Sequence, residues 1–395
     1  MVGGQTGTPR PYTALEAVSP RRLSSDGLES EGKRPLRLLV FASKPEGIAP
    51  CQRFRLEQWA PHLAKKHGIE LELAPFESAE LVELLAKPGH RFEKAARVLR
   101  DFAHRATDVI RARHFDGAII HREAALIGPA IYERILAAAK VPFFFDFDDT
   151  IWDRVQASRT NGIFARLHFY GKAATIIRLS KAVFAGNGYL AAYARKQNDA
   201  VHIVPTSIEL GGYPVRAESD SKDFVVCWTG SLHTLEHFEH AREALERLAE
   251  RRSLVVKVIC NKEPDRPIRG AKNEFVPWSA VGEADAVGNC HAGIMPLPDT
   301  HFTRGKCGLK ALQFMATGRP VVVSPVGMNK DLIENGRNGL LASTTDEWVD
   351  ALDRLAASAE LRRTMGAAGR ATMEERFSAT RVSAEVARII RATLS

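Results

Sequence analysis

From residue 36 onward the chain alternates short, continuous apolar runs with amphipathic stretches. Apolar runs without polar alternation are typical of strands covered on both faces, and intervening helices allow parallel connections. This pattern predicts an α/β protein with parallel sheets flanked by helices. In the first half the predicted strands are 36–42, 69–75, 116–120, 141–147, 182–185 and 201–204.

A polar stretch at 208–223 interrupts the pattern, which then resumes. The predicted strands of the second half are 224–230, 253–260, 273–278, 289–297, 319–325 and 338–343, followed by a helical tail over 344–395. A chain of 395 residues is too long for one ordinary core. We therefore predict two Rossmann-like, doubly wound domains, each with its own sheet.

The predicted organisation has four parts. They are a disordered leader (1–34), a first domain (35–210), a second domain (211–376), and a final helix (377–395). The leader is rich in Gly, Ser, Pro and Arg and lacks the apolar block of a secretion signal.

The amino-acid composition limits the classes of partner and the cellular compartment that we predict for this chain. The net charge of +8 is spread along the chain without a basic stripe or aromatic platforms, which argues against nucleic acid. Sites for anionic phosphates and weak peripheral contact with anionic lipid remain. Five cysteines without a Cys-x-x-Cys pair favour reduced thiols. The predicted location is the cytoplasm, with the inner face of the membrane as an alternative.

The strongest candidate site lies within residues 303–327. Gly305 and Gly308 allow close backbone approach, and a helix predicted to begin near Cys307 offers unpaired N–H groups. Three basic side chains surround that terminus: Arg304, Lys306 and Lys310. Such a site suits a diphosphate. An ordinary loop that enters a core helix fits these local features equally well.

A family resemblance favours the diphosphate. The segment resembles the donor-site signature of retaining family-four glycosyltransferases, which have two Rossmann-like domains (the GT-B fold). The matching residues are Gly308-Leu309, 315–322 (MATGRPVV), Val326-Gly327 and 331–343. The resemblance continues through 121–131, 146–152 and 185–194. It implies that the two domains face each other across a cleft and that the final helix packs back on the first domain.

The resemblance implies a nucleotide diphosphate-sugar donor, a glycan, lipid-linked or other acceptor, retention of configuration, and no metal or other cofactor. The implied donor-binding residues are Gly230, Ser231, Arg304, Lys306, Cys307, Gly308, Leu309, Lys310 and Gln313. The two glutamates of the family signature fall on Gly305 and Gln313. Gly305 cannot replace a carboxylate, so a nucleotide-sugar-binding protein without catalysis is the alternative.

The implied catalytic residues lie in the first half. His121 follows a predicted strand and matches a family histidine that faces the reaction centre, and Asp148 and Asp149 follow another strand. The segment DFDDT (146–150) also resembles the nucleophile motif of haloacid-dehalogenase-like phosphatases, but the later acidic pair that such enzymes need is not evident.

Three weaker patterns remain. Arg53 and Arg55 follow the first strand and are predicted either to reach a phosphate or acceptor or to be surface charge. The segment AGNGYLA (185–191) matches a dinucleotide fingerprint, but we favour a turn in which Asn187 caps the next helix. His233, His237 and His240 share a helical face, which we interpret as solvated surface rather than a metal site.

Overall fold

The computed structural model describes residues 34–85, 87, 89–125, 128–153, 169, 171–218 and 221–395. Residues 1–33 of the predicted leader lie outside this part. The described residues form two six-stranded sheets, and every paired strand in both is parallel. The predicted α/β class with two sheets is therefore confirmed. Among the described residues, no helix is both long and apolar enough to cross a membrane.

The first sheet has the strand order β2-β1-β3-β4-β5-β6. Its strands are β1 (Leu36–Ala42), β2 (Ile69–Pro75), β3 (Gly117–His121), β4 (Phe143–Phe147), β5 (Ala182–Ala185) and β6 (Val201–Ile203). The described helices of this half are Pro50–Gln52, Gln58–His67, Ala79–Leu85, Arg91–Arg111, Ile131–Ala138, Lys172–Leu179 and Gly188–Ala194, with a π-helical turn at Arg53–Glu57. β3 and β4 are buried along their whole length, which is why they lack polar alternation.

The second sheet has the order β12-β11-β10-β7-β8-β9, in which the direction of winding reverses between β7 and β10. Its strands are β7 (Phe224–Thr229), β8 (Leu254–Cys260), β9 (Lys272–Pro277), β10 (Ala292–Met295), β11 (Val321–Val323) and β12 (Leu340–Leu341). The helices are Leu235–Glu239, Arg242–Ala249, Glu283–Gly288, His301–Arg304, Leu309–Ala316, Asn329–Leu332, Thr345–Ala357, Ala359–Thr372 and Ala379–Leu394. Ligands of doubly wound sheets bind at such reversal points, beyond the carboxyl ends of the strands.

The chain returns to the first sheet at its end. A π-helical turn (Met373–Phe377) leads into the helix Ala379–Leu394, which contacts the helix Gln58–His67. The apolar face of the last helix, including Val386 and Ile390, joins the core that contains Leu38 of β1.

The tail is not one continuous helix as predicted. Ser358 and Ser378 each leave the helical conformation and cap the following helix, accepting a hydrogen bond from the amide of Leu361 and of Arg381, respectively. The serine hydroxyls satisfy amides that would otherwise lack partners, so the breaks are built into the sequence. The limits of the predicted domains remain predictions.

Candidate functional site

In the first sheet the winding direction reverses between β1 and β3, and polar side chains gather there. β3 ends at His121, and Asp146 is the register partner of His121 on β4. Cys51 lies in the short helix that follows β1. Because parallel strands end at the same edge of the sheet, residues far apart in sequence meet at this point.

His121 and Arg55 both bind the carboxylate of Asp146. The Nδ1 of His121 lies 2.7 Å from Asp146 Oδ2, and Arg55 donates from Nε at 3.0 Å and from Nη2 at 2.5 Å. The side chains of Arg55 and Asp146 are fully buried, and that of His121 is 1% exposed. The alternative that Arg55 is surface charge is wrong, because its guanidinium is buried against Asp146, and its contact with a phosphate or acceptor stays a prediction.

The charge state of His121 follows from this contact. Burial alone disfavours the imidazolium, but the hydrogen bond to Asp146 and the proximity of Cys51 outweigh it and raise the pKa of His121 to about 9. The imidazole is thus protonated at neutral pH. Its Nε2 is buried without a hydrogen-bond partner among the described residues, so this N–H is a donor for an oxygen atom of a ligand.

Cys51, His121 and Asp148 bring one sulfur, one nitrogen and one oxygen within 4.8 Å of one another. This set of atoms resembles that of a zinc site. A metal would need the unprotonated imidazole, however, whereas the raised pKa of His121 favours imidazolium. Arg122 also occupies Asp148 through bonds of 2.8 Å from Nε and 2.7 Å from Nη2.

Asp148 and Asp149, which the resemblance implies as catalytic, both form ion pairs. Burial by itself would raise the pKa of Asp148, but Arg122 outweighs it and lowers the pKa to about 2. Asp149 accepts a hydrogen bond of 2.8 Å from Lys306 of the second half. Both carboxylates are therefore in contact with cations rather than free, and the sequence reasoning missed Arg122.

The start of the helix Leu309–Ala316 is the candidate anion site of the second half. The preceding Gly308 has a φ of 72°, a left-handed conformation that side chains rarely adopt, and no side chain caps the helix. The helix begins two residues later than predicted. Its first amides are uncapped and point to the cleft-side edge, which is the geometry of an anion site.

Two lysines lie beside this helix start. Lys306 contacts Asp149 and lies 3.9 Å from the centre of the Phe302 ring. Lys310 lies over the ring of Trp228 at 5.4 Å, and among the described residues it has no ion pair or hydrogen bond. Burial and, secondly, the positive charge of Lys306 lower the pKa of Lys310 to about 8. An ammonium without a counter-charge, next to a second one, favours an anionic ligand.

The loop before the helix is pressed against the first half. A Cβ on Gly305 would lie 2.5 Å from Cγ2 of Thr150, so no larger residue fits here. The Asn187 amide donates to the carbonyl oxygens of Arg304 at 3.2 Å and of Lys306 at 3.1 Å. Asn187 also accepts from the amide of Leu190, which confirms the predicted cap.

Several predicted donor contacts are made within the protein instead. Arg304 is exposed and forms a two-pronged ion pair with Asp299, at 2.7 and 3.1 Å. The Cys307 thiol is buried and donates to the carbonyl oxygen of Asp148 at 3.3 Å, and burial raises its pKa. These two side chains therefore have partners within the protein, and their contact with a donor stays a prediction.

A second group of contacts crosses the cleft. Arg53 forms an ion pair with Glu283, which also accepts from the hydroxyl of Tyr213 at 3.2 Å. The amide of Gln313, implied as a ribose ligand, donates to the same hydroxyl at 3.2 Å. Arg53 and Gln313 thus meet in one network, and the contact of Arg53 with a phosphate or acceptor stays a prediction.

The remaining implied donor residues lie at the edge of the cleft. Gly230 and Ser231 directly follow β7, and the amide of Ser231 donates to the hydroxyl of Thr234 at 3.0 Å. Leu309 is half-buried at the start of its helix. Because Trp228 of β7 lies beneath Lys310, the end of β7 and this helix start border the same space.

His237 contradicts the interpretation of its face as solvated surface. Its side chain is 4% exposed, and both ring nitrogens are buried without a hydrogen-bond partner among the described residues. Burial and the nearby Lys310 lower the pKa of His237 to about 4, so the ring is neutral at pH 7. The sequence reasoning missed this residue because helical spacing does not reveal which face is covered.

The structure argues against the phosphatase interpretation, because the carboxylate required as nucleophile is not available. Asp146 would be the attacking carboxylate, yet both of its oxygens accept hydrogen bonds from Arg55 or His121 and the residue is buried. A carboxylate held in this way is not exposed to a phosphate ester.

Residues 223–358 match the family model described as "Glycosyl transferases group 1", which confirms the predicted resemblance for that segment. No curated protein matches the sequence. Among solved structures, the sucrose-phosphate synthase of Thermosynechococcus elongatus is similar with a TM-score of 0.65 and 14% identity, over 91% of this chain and 99% of that one.

Two further structures show the same arrangement. The Anabaena protein HepE, in complex with UDP and glucose, has a TM-score of 0.62 and 13% identity over 90% of this chain and all of its own. A glycosyltransferase from Rickettsia africae has a TM-score of 0.64 and 12% identity over 92% of this chain and all of its own. At such identities the likeness concerns the fold, and it confirms the GT-B arrangement of two Rossmann-like domains.

Proposed function

We propose that this protein is a glycosyltransferase that moves a sugar from a nucleotide diphosphate donor to an acceptor hydroxyl, with retention of anomeric configuration. The observation that carries the proposal is the pair Lys306 and Lys310 at an uncapped helix start. Lys310 has a lowered pKa and no counter-charge among the described residues, and a diphosphate would supply that charge.

The chemistry required of the second half is to stabilise the departing diphosphate. As the bond between the sugar and the phosphate oxygen breaks, negative charge develops on that oxygen. The first amides of the helix Leu309–Ala316 and the two ammonium groups are fixed before the reaction, so they lower the barrier without reorganising. Lys306 would leave Asp149 and bind the diphosphate, or it would contact both anions at once.

The first half supplies the acceptor side of the cleft. The buried Nε2–H of His121 is a donor without a partner, fixed in place by Asp146 and Arg55. It would bind a hydroxyl of the transferred sugar or of the acceptor and so hold the reacting atoms in line. Retention rests on the family resemblance. The acceptor is a glycan, a lipid-linked sugar or another hydroxyl compound.

UDP-sugars are the first donors to test, because the similar Anabaena protein is in complex with UDP and glucose. Titration calorimetry with UDP should give measurable binding that Lys306→Ala weakens at least about tenfold. Arg304→Ala is the matched control, since Asp299 already pairs with that guanidinium. Equal affinity of wild type and Lys306→Ala would refute the assigned donor site.

A non-catalytic nucleotide-sugar-binding protein is the second candidate, because Thr150 fills the space beside Gly305 where the related enzymes carry a glutamate. The two proposals differ in turnover. UDP release from a panel of UDP-sugars, with water or sugar alcohols as acceptors, supports the enzyme. Tight binding without any release, in wild type and His121→Ala alike, supports the binding protein.

A further inference from the structure

The helix Arg91–Arg111 turns its apolar side outward. One exposed stripe consists of Phe92, Ala95, Ala96, Leu99, Ala103, Ala106 and Ile110, and exposed polar residues such as Arg100, His104 and Thr107 lie beside it. Phe92 is 94% exposed, Leu99 69% and Ile110 62%. The spacing of these residues places them on one side of the helix. A continuous apolar stripe of this length on a surface marks a contact site rather than chance exposure.

The opposite side of the same helix is charged and buried. Arg105 is fully buried and donates to the carbonyl oxygens of Ala74 at 2.9 Å and of Ala42 at 3.0 Å, at the ends of β2 and β1. Asp101 accepts from the amide of Ser78 at 3.0 Å. These bonds fix the rotation of the helix, so its apolar stripe cannot turn inward without leaving buried charges unpaired.

The neighbouring helix, Ile131–Ala138, also exposes apolar side chains. Ile131 is 54% exposed and Ile135 is 44% exposed. Tyr132 joins the two helices, because its hydroxyl donates to the carbonyl oxygen of Phe102 at 2.7 Å. We call the surface formed by Phe92, Leu99, Ile110, Ile131 and Ile135 the apolar face.

Unpaired cations border the apolar face. Four exposed basic residues make no ion pair with any described residue: Arg91, Arg113, Arg134 and Lys140. Of the nearby acidic residues, Glu80 pairs with Arg100 and Glu93 with Arg97, whereas the exposed Glu83 makes no ion pair with a described residue. Among the described residues, the border therefore carries more unpaired positive charge than unpaired negative charge.

We propose that the apolar face docks on the surface of an anionic membrane, with the helix Arg91–Arg111 lying in the plane of the head groups. A helix of this length is about 30 Å long, and its apolar stripe suits insertion at the boundary of head groups and acyl chains. The bordering cations would meet lipid phosphates. A protein partner would have to supply carboxylates for the same cations.

The docked face lies on the cleft side of the first sheet. Arg105 binds carbonyls at the carboxyl edge of that sheet, and Phe92 lies 13 residues nearer the start of the helix, about 20 Å further on. The start of the helix, with its apolar stripe, therefore extends beyond the carboxyl edge of the first sheet, where His121 lies. A membrane beneath it would present a lipid-linked acceptor to the cleft. This last step rests on the proposed function, whereas the docking does not.

Flotation of the full chain with vesicles tests the docking. Vesicles of phosphatidylcholine with about 30% phosphatidylglycerol are compared with phosphatidylcholine alone. Wild type should float with the anionic vesicles, and Leu99→Asp should bind at least about tenfold more weakly. Val281→Asp is the matched control, because Val281 is 97% exposed in the second half; it should float like wild type. Both variants should keep the thermal midpoint and the UDP affinity of wild type.

Three outcomes would overturn the proposal: wild type does not float, Leu99→Asp floats like wild type, or Leu99→Asp turns a light-scattering dimer into a monomer while wild type ignores vesicles. The last outcome would assign the apolar face to a second copy of the chain. Flotation without UDP binding would instead remove only the proposed function, so the two failures are distinguishable.

Discussion

The charge of Lys310 gives the sharpest test of the donor site. Burial and Lys306 lower its pKa from the ordinary value of 10.5 to about 8. A diphosphate bound between the two lysines would restore the ordinary value. That change corresponds to about 3 kcal/mol of coupling between the ammonium and the ligand at pH 7. Lys310→Ala is therefore expected to weaken UDP binding by about 1–3 kcal/mol, since solvent at the partly exposed ammonium reduces the full value.

The pH dependence of UDP affinity tests the same contact between Lys310 and the diphosphate. The pKa of Lys310 is lower in the free protein than in the complex, so binding favours the protonated form. UDP affinity should be constant below pH 8 and fall as the pH rises above it, by up to about tenfold per pH unit. Lys310→Gln should abolish this decline while lowering affinity at pH 7.

Titration calorimetry with UDP between pH 7 and pH 10 measures both effects. UDP is suitable because it binds the site without being turned over. Lys330→Ala is the control, because Lys330 is exposed and lies outside the helix start. The reasoning fails if Lys310→Ala binds UDP within twofold of wild type, or if wild-type affinity does not change up to pH 10.

Three further perturbations test the first half and the contact between the halves. The pKa of His121 is raised to about 9, so its protonated form stabilises the fold by about 3 kcal/mol. This stabilisation should be complete below the unfolded pKa of about 6.5 and lost as the pH rises through 9. Denaturant unfolding should show this decrease in the free energy of unfolding with pH in wild type but not in His121→Gln. Arg55→Met should destabilise the fold by about 3–5 kcal/mol, because Asp146 stays buried without its counter-charge, and adding Asp146→Asn should recover part of the loss in thermal unfolding. Gly305→Ala should slow UDP release from UDP-sugars, because its Cβ would lie 2.5 Å from Cγ2 of Thr150. Thr150→Ser removes that methyl group and should restore the rate. If it does not, the contact between residues 305 and 150 does not limit the approach of the two halves.

The sequence by itself determined the two sheets. Continuous apolar runs and the amphipathic stretches between them are local consequences of strands covered on both faces, so the strands follow from residues near one another in the chain. The breaks at Ser358 and Ser378 were also local signals, because a serine hydroxyl caps a helix three residues ahead. They were missed because the apolar periodicity continues across them.

The charge states of the candidate site were decided by tertiary structure alone. Arg55 and Asp146 are 91 positions apart, and Lys306 and Asp149 are 157 apart. A sequence shows that such residues are ionisable but not which counter-charge each one meets or how much water it keeps. Those two quantities set every pKa at the site. For the same reason Lys310, a basic residue without a counter-charge among the described residues, could be recognised only in the folded chain.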